Sequence, residues 1–216
     1  MFTGIIEAVG KLAKLQNCGS DYNVEILTND LDLSDVKLGD SIASNGICLT
    51  VVKLTQNSFF ADVSSETIKL TGFAHYKIGQ KINLEKALTP TTRLGGHMVS
   101  GHVDGIGTID RVINNGRSTD YWVKAPKELM RYIAHKGSIT IDGISLTVNG
   151  LEQNSLRLTI VPHTAQQTTI SDFRVGSVVN VEVDQIARYL ERLIAVKGDD
   201  QRGSVTMDLL ARSGFC

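Results

Sequence analysis

Ser41-Ile-Ala-Ser-Asn-Gly-Ile-Cys-Leu-Thr-Val51 and Ser138-Ile-Thr-Ile-Asp-Gly-Ile-Ser-Leu-Thr-Val148 are two versions of one stretch. At the same offset of roughly 97 residues, Met1-Phe-Thr-Gly-Ile-Ile-Glu-Ala-Val-Gly10 lines up with Met98-Val-Ser-Gly-His-Val-Asp-Gly-Ile-Gly107. Further on, Gln56-Asn57-Ser58 meets Gln153-Asn154-Ser155, and Thr67, Gly79, Asn83 and Glu85 meet Thr164, Gly176, Asn180 and Glu182. Self-similarity sustained without a gap is the mark of a tandem duplication. Two like domains imply two like pockets. The 216 residues therefore divide into two units of roughly 90 residues, each large enough for its own core, and a tail.

Within each unit the apolar residues form short β-branched runs bounded by Gly, Asn and Asp, the pattern of half-buried antiparallel strands. The first unit reads as strands near Gly4–Leu15, Tyr22–Leu27, Ser41–Ala43, Cys48–Leu54, Ser58–Ser64 and Lys81–Lys86. The second repeats them near Gly101–Val112, Tyr121–Lys124, Gly137–Ile141, Leu146–Leu151, Ser155–Val161 and Val178–Val183. So few short strands leave exposed edges unless they close into a small barrel. Short helices are expected after Ser64 and Pro162. Thr89-Pro-Thr-Thr-Arg-Leu-Gly-Gly96 has the composition of a linker.

After Asp184 the period changes: Ile186, Tyr189, Leu190, Leu193 and Ile194 fall on one helical face, with Gly198 as the expected stop. Such a stripe packs either on its own barrel or on a helix of another subunit. A second short helix is expected over Met207–Arg212.

The net charge of −1 supplies no basic field for nucleic acid or anionic lipid. Cys18, Cys48 and Cys216 are odd in number and far apart, which points to a reduced, cytoplasmic protein without disulfides or a zinc site. No basic leader opens the chain, and no apolar run is long enough to span a membrane. Phosphate-loop and dinucleotide motifs are missing, so neither a tightly bound phosphate cofactor nor a metal is implied.

Asn45-Gly46 and Asp142-Gly143 read as turns into strands on which Cys48 and Thr50, and likewise Ser145 and Thr147, share a face. Each of these residues also has a purely structural explanation, since Thr favours strands and a small Cys or Ser can simply pack. His102 is the ionisable residue in a strand otherwise matched between the copies. It is a candidate acid, base or donor, or a structural histidine. His97, beside Gly95-Gly96, reads as a turn residue, and His75 and His135 as surface positions. Asp62-Val-Ser-Ser-Glu-Thr67 and Thr159-Ile-Val-Pro-His-Thr164 each end a strand and start a helix. Their polar groups suit a polyhydroxylated ligand or serve as helix caps.

Taken together, MFTGIIE, SIASNGICLTV, ETIKLT, GGHMVSGHVDG, KGSITIDGISLTV, PHT and VNVEVDQIARYLERL closely resemble riboflavin synthase of the trimeric, two-barrel type, over essentially the whole chain. The resemblance implies an all-β fold of two tandem six-stranded Greek-key β-barrels related by internal duplication, plus a C-terminal α-helix. Residues 1–94 and 95–184 would be the two lumazine-binding barrels, and 185–216 the trimerising helix and tail. It implies a transferase at the last step of riboflavin biosynthesis. Two molecules of 6,7-dimethyl-8-ribityllumazine would be dismutated into riboflavin and 5-amino-6-ribitylaminouracil by transfer of a four-carbon unit, with no cofactor and no metal.

The implied catalytic residues are Cys48, His102, Ser145 and Thr147. One lumazine would touch Gly4, Ile5, Ile6, Cys48, Leu49, Thr50 and the segment Asp62, Val63, Ser64, Ser65, Glu66, Thr67. The other would touch Gly101, His102, Val103, Ser145, Leu146, Thr147 and the segment Val161, Pro162, His163, Thr164, Ala165, Gln166. Ser41 joins the binding set, Phe2 and Thr3 complete a site from the N-terminus, and Lys136 reaches across a subunit interface. Asp184 is a weaker candidate for a polar contact there. The resemblance further implies a homotrimer with active sites between subunits, an association with lumazine synthase, and no nucleic acid or membrane partner. The rival of another class is a non-catalytic lumazine- or flavin-binding protein of the same fold. A flavoprotein-reductase barrel is a weaker third, since no dinucleotide-binding domain follows.

Overall fold

The computed structural model describes residues 1–200 and 212–213, with the backbone alone for residues 196–200. The first repeat contains β1 (Ala8–Cys18), β2 (Asp21–Leu27), β3 (Ser41–Ser44), β4 (Ile47–Leu54), β5 (Ser58–Val63) and β6 (Lys81–Lys86). They close into an antiparallel barrel in the order β1-β2-β5-β4-β3-β6, a Greek key. The second repeat contains β7 (Gly105–Asn114), β8 (Thr119–Lys124), β9 (Ser138–Ile141), β10 (Ile144–Leu151), β11 (Ser155–Ile160) and β12 (Val178–Val183) and closes in the equivalent order. Closure removes the sheet edges that six short strands would otherwise expose.

Each barrel is filled by its own alternating residues. Leu12, Ile42 and Phe59 are fully buried in the first, and their repeat-mates Ile109, Ile139 and Leu156 are buried in the second. Bulges recur at matched places, between Leu12 and Lys14 and between Ile109 and Arg111, and again between Val51 and Lys53 and between Val148 and Gly150. A bulge adds the local twist that lets a short strand bend around a small barrel. The short helices α1 (Ser65–Leu70) and α2 (Pro162–Gln167) lie where the sequence places them. A 3₁₀ helix over Lys127–Tyr132, which buries Leu129, went unread because six residues carry too little periodicity to flag it.

Two features depart from the sequence reading. Gly4 and Gly101 do not begin strands: β1 starts at Ala8 and β7 at Gly105, because both glycines have positive φ (+75° and +78°) and turn the chain away. The helix α3 (Gln185–Asp200) also runs through Gly198, its expected stop. The helix expected over Met207–Arg212 lies outside the described residues, its last position apart.

The barrels together form one compact unit, Met1–Asp184, and Gln185–Cys216 forms another. On α3, Ile186, Tyr189, Leu190, Leu193 and Ile194 are each more than half exposed.

Between the barrels, Phe2 pairs with Val99 and both are buried with Ala43. A reciprocal amide network also joins the barrels. Asn83 Nδ2 donates to the Asp142 carbonyl (3.0 Å) and Asn180 Nδ2 to the Asn45 carbonyl (2.8 Å). The amides of Gly72 and Thr169 donate to the side-chain oxygens of Asn180 and Asn83. Contacts exchanged this evenly relate the barrels by an approximate two-fold axis.

Candidate active site

The expected Asx-Gly turns are present. Asn45 and Gly46 have φ of +47° and +78°, and Asp142 and Gly143 have +45° and +79°. Two left-handed residues in a row make the tight hairpin turn whose twist suits the flanking strands. The turns fix the register, setting Cys48 opposite Ala43 and Thr50 opposite Ser41, and Ser145 opposite Thr140 and Thr147 opposite Ser138. With a side-chain period of two, Leu49 and Val51 enter the first core while Cys48 is half-buried and Thr50 exposed. In the second barrel Val148 is buried, Leu146 packs partly on the core, Ser145 is half-buried and Thr147 exposed. Two walls of the same design result.

The segments that complete these walls are exchanged between barrels, which corrects the grouping taken from the sequence. Ser145 N donates to the Gly4 carbonyl (2.7 Å), and Cys48 N donates to the Gly101 carbonyl (2.9 Å). Ile6 packs on the second barrel's core and Val103 on the first's. Gly4, Ile5 and Ile6 therefore belong with Ser145, and Gly101, His102 and Val103 with Cys48. The approach demands glycine, since a Cβ at Gly4 would lie 2.6 Å from Ser145 Cβ, and one at Gly101 would lie 2.8 Å from Cys48 Cβ. Two copies matched residue for residue give no sign of such an exchange, because the local contacts are the same whichever barrel supplies them.

Two buried carboxylates hold the crossing segments. Glu85 Oε1 accepts from Thr3 N and Thr3 Oγ1 (both 2.6 Å), and Oε2 accepts from Gly4 N (2.9 Å). Glu182 Oε1 accepts from Ser100 N and Ser100 Oγ (both 2.7 Å), and Oε2 from Gly101 N (3.1 Å). Burial pushes both carboxyls above the usual glutamate range, and the donors pull them back. The sequence shows the Glu pair as a match between copies but not what it holds. Phe2 and Thr3, expected to complete a site from the N-terminus, are buried, Phe2 beside Val99 and Thr3 against Glu85.

His97, read as a turn residue, is placed instead at the second wall. Its Nδ1 lies 2.8 Å from Ser145 Oγ. Burial lowers the pKa of its imidazole below the usual histidine value, against the opposing pull of Asp184. Ring and hydroxyl together can move a proton to or from a reacting atom. His102 is exposed, with its amide donating to Ser100 Oγ (3.2 Å), and sits with Cys48 rather than with Ser145 and Thr147. Cys48 and Cys18 are free thiols.

The remaining expected contacts lie at the strand ends. Ser64 caps α1 by accepting from Thr67 N (3.2 Å), Asp62 Oδ1 accepts from Asn23 Nδ2 (2.8 Å), and Ser65 N donates to Asp21 Oδ1 (2.9 Å). Val63 is buried, and Glu66 is exposed. In the second barrel Val161, Pro162, His163 and Gln166 are exposed, with Thr164 and Ala165 half-buried, and Val161 caps α2 without a side-chain bond. Ser41 is half-buried on β3. Lys136 is exposed at φ +64°, its amide donating to the Val148 carbonyl (2.8 Å).

A cavity of about 470 Å³ is lined by Thr3, Ile5 and Glu85 together with linker residues, and another of about 350 Å³ opens by Asp142 and Tyr76. Neither is lined by Cys48 or Ser145. Among the described residues no cluster of His, Cys, Asp or Glu is arranged to hold a metal. No helix among them is long and apolar enough to cross a membrane.

The chain is similar to known proteins. A family described as the lumazine binding domain matches residues 3–87 and again 100–184. Riboflavin synthase of Photobacterium phosphoreum is 56% identical over 100% of this chain and 99% of its own length. Riboflavin synthase of Photobacterium leiognathi is 52% identical over 100% of this chain and 99% of its own. A crystal structure of LumP complexed with 6,7-dimethyl-8-(1'-D-ribityl) lumazine superimposes with a TM-score of 0.76 at 26% identity, over 85% of this chain and 99% of that one.

Proposed function

The chain belongs to the riboflavin synthase family, and from that premise we propose that its walls each bind one 6,7-dimethyl-8-ribityllumazine. The bound pair is dismutated to riboflavin and 5-amino-6-ribitylaminouracil. One observation carries the reading: Cys48-Leu49-Thr50 and Ser145-Leu146-Thr147 are built alike about one approximate two-fold axis. A reaction between two identical heterocycles calls for two like walls. A non-catalytic lumazine carrier needs only one, yet both copies here keep a small polar residue before Leu-Thr-Val.

The substrate supplies much of the reactivity. Its C7 methyl is acidic because the carbanion delocalises into the ring, so the protein has to align two rings and manage protons. Alignment alone is worth on the order of 7–11 kcal/mol of the barrier. Acid or base help adds about 10²–10⁴-fold. Cys48 or a water takes the nucleophile's place at C7 of the ring in the first barrel, with His102 beside it. Ser145, paired with His97, and Thr147 handle protons at the ring in the second. Donor carbons C6 and C7 leave with their methyls, and both donor nitrogens regain protons as the diamine departs. The ribityl chains run toward Asp62–Thr67 and Val161–Gln166, and Lys136 contacts ligand from across an interface.

The active site lies between subunits, where the first barrel of one chain faces the second barrel of another. Support comes from exposed Thr50, His102 and Thr147, and from the exposed apolar residues Tyr189, Leu190, Leu193 and Ile194 of α3, which three copies would bury together in a homotrimer. Residues 1–94, 95–184 and 185–216 are then the first barrel, the second barrel and the trimerising segment. The enzyme works in the cytoplasm without a cofactor and associates with lumazine synthase. Incubating the purified chain with 6,7-dimethyl-8-ribityllumazine as sole substrate tests the activity. One riboflavin per two lumazines consumed is expected, and consumption without riboflavin refutes it.

A further inference from the structure

We propose that Glu85 and Glu182 are positioning residues that act crosswise, the carboxylate in each barrel setting the wall of the other barrel's pocket. This rests on the reading of the two walls as ligand sites and adds what fixes their geometry.

Each path is short and buried. Glu85 stands on β6 of the first barrel and gathers Thr3 N, Thr3 Oγ1 and Gly4 N. The carbonyl of that same Gly4 then receives Ser145 N at 2.7 Å, on the second barrel's wall. Glu182 stands on β12 of the second barrel, gathers Ser100 N, Ser100 Oγ and Gly101 N, and the Gly101 carbonyl receives Cys48 N at 2.9 Å on the first wall. Both carboxylates are only 3% exposed. Packing alone does not call for a glutamate here, since a buried carboxylate is costly unless its acceptor sites are filled. What it uniquely provides is one planar group that takes two successive amides and a hydroxyl, fixing both the turn and the direction of the following carbonyl. The seam at Phe2–Val99 thus carries two antiparallel links, each crossing from one barrel to the other.

Thiol reactivity reads each wall separately in the full-length protein. Cys48 reports the first wall, with exposed Cys18 as the internal reference. Ser145→Cys, in a Cys48→Ser background, reports the second. Glu182→Gln should change the iodoacetamide rate at Cys48 by on the order of tenfold and leave the Ser145→Cys thiol alone, and Glu85→Gln should do the reverse. Ser100→Ala and Thr3→Val remove one donor each and should give the same crossed pattern more weakly, even if a Gln variant fails to fold. Thr3→Ser should restore the parent rate. In turnover, both Gln variants should lower kcat by on the order of 10–100-fold with KM changed much less, as misalignment does.

A response in the residue's own barrel overturns the proposal. So does an equal response at both thiols, no response at either, or a rise in KM alone. The thiol readout needs no turnover, so an inactive protein with the crossed pattern would refute the functional reading while leaving this one intact.

Discussion

Ser145 Oγ and His97 Nδ1, 2.8 Å apart, form the one described side-chain pair at either wall that joins a hydroxyl to an imidazole. Burial holds the imidazole below its ordinary value, so at neutral pH it is uncharged and can accept the serine proton. The acid limb of kcat/KM should therefore fall below the ordinary histidine range, with activity lost as pH drops and the ring is protonated. His97→Gln should abolish that limb and lower kcat by about 10²-fold or more. Ser145→Ala combined with His97→Gln should be no worse than the more damaging single change, because paired residues act as a unit. Steady-state kinetics across pH checks both. Cys48, Ser145 and their Thr partners were legible from strand alternation. His97 was not: it follows Gly95-Gly96 in linker-like sequence, and only the fold carries its ring to β10.

The turns of the β3–β4 and β9–β10 hairpins, Asn45-Gly46 and Asp142-Gly143, differ in one residue. Asn45 and Asp142 hold equivalent turn positions, and each accepts from a β-strand amide, Asn83 N to Asn45 Oδ1 and Asn180 N to Asp142 Oδ1 (both 2.7 Å). Asn45 Nδ2 and Asn180 Nδ2 donate to the hydroxyl of Tyr76, itself pushed up by burial. Desolvation in the barrel seam raises the Asp142 carboxyl from 3.8 to about 7. The unfolded chain loses this proton near pH 4 while the folded protein keeps it to about pH 7. Stability therefore falls as pH rises across that window and levels off above it, by on the order of 4 kcal/mol in total. Burial of Glu85 and Glu182 adds in the same direction. Asp142→Asn, which copies the first hairpin, should flatten most of this slope in thermal melts between pH 4 and 8. An unchanged slope would place the proton elsewhere. Both hairpins were readable from Asx-Gly, and the barrels from the repeat and its strand period. The crossing of the 4–6 and 101–103 segments was hidden, because a duplicated sequence assigns each segment to its own copy by default.

At the scale of the whole molecule, duplication gives one chain two walls, and the proposed assembly brings a first wall to face a second. The apolar stripe on α3 was plain in the sequence, whereas its partner is not encoded in any local pattern. The homotrimer proposed above predicts that Leu190→Asp with Ile194→Asp gives a smaller species than the parent chain by light scattering and reduces turnover with it, while the barrels' melting changes little. A species of unchanged size would contradict the proposal that this helix holds the assembly together. In the proposed reaction two equivalent heterocycles are held at once by walls of matched design. Equilibrium titration of the full-length protein with riboflavin, followed by fluorescence and calorimetry, counts them directly. Two bound per chain is the expected result. A single one per chain, under conditions that saturate the protein, would contradict it.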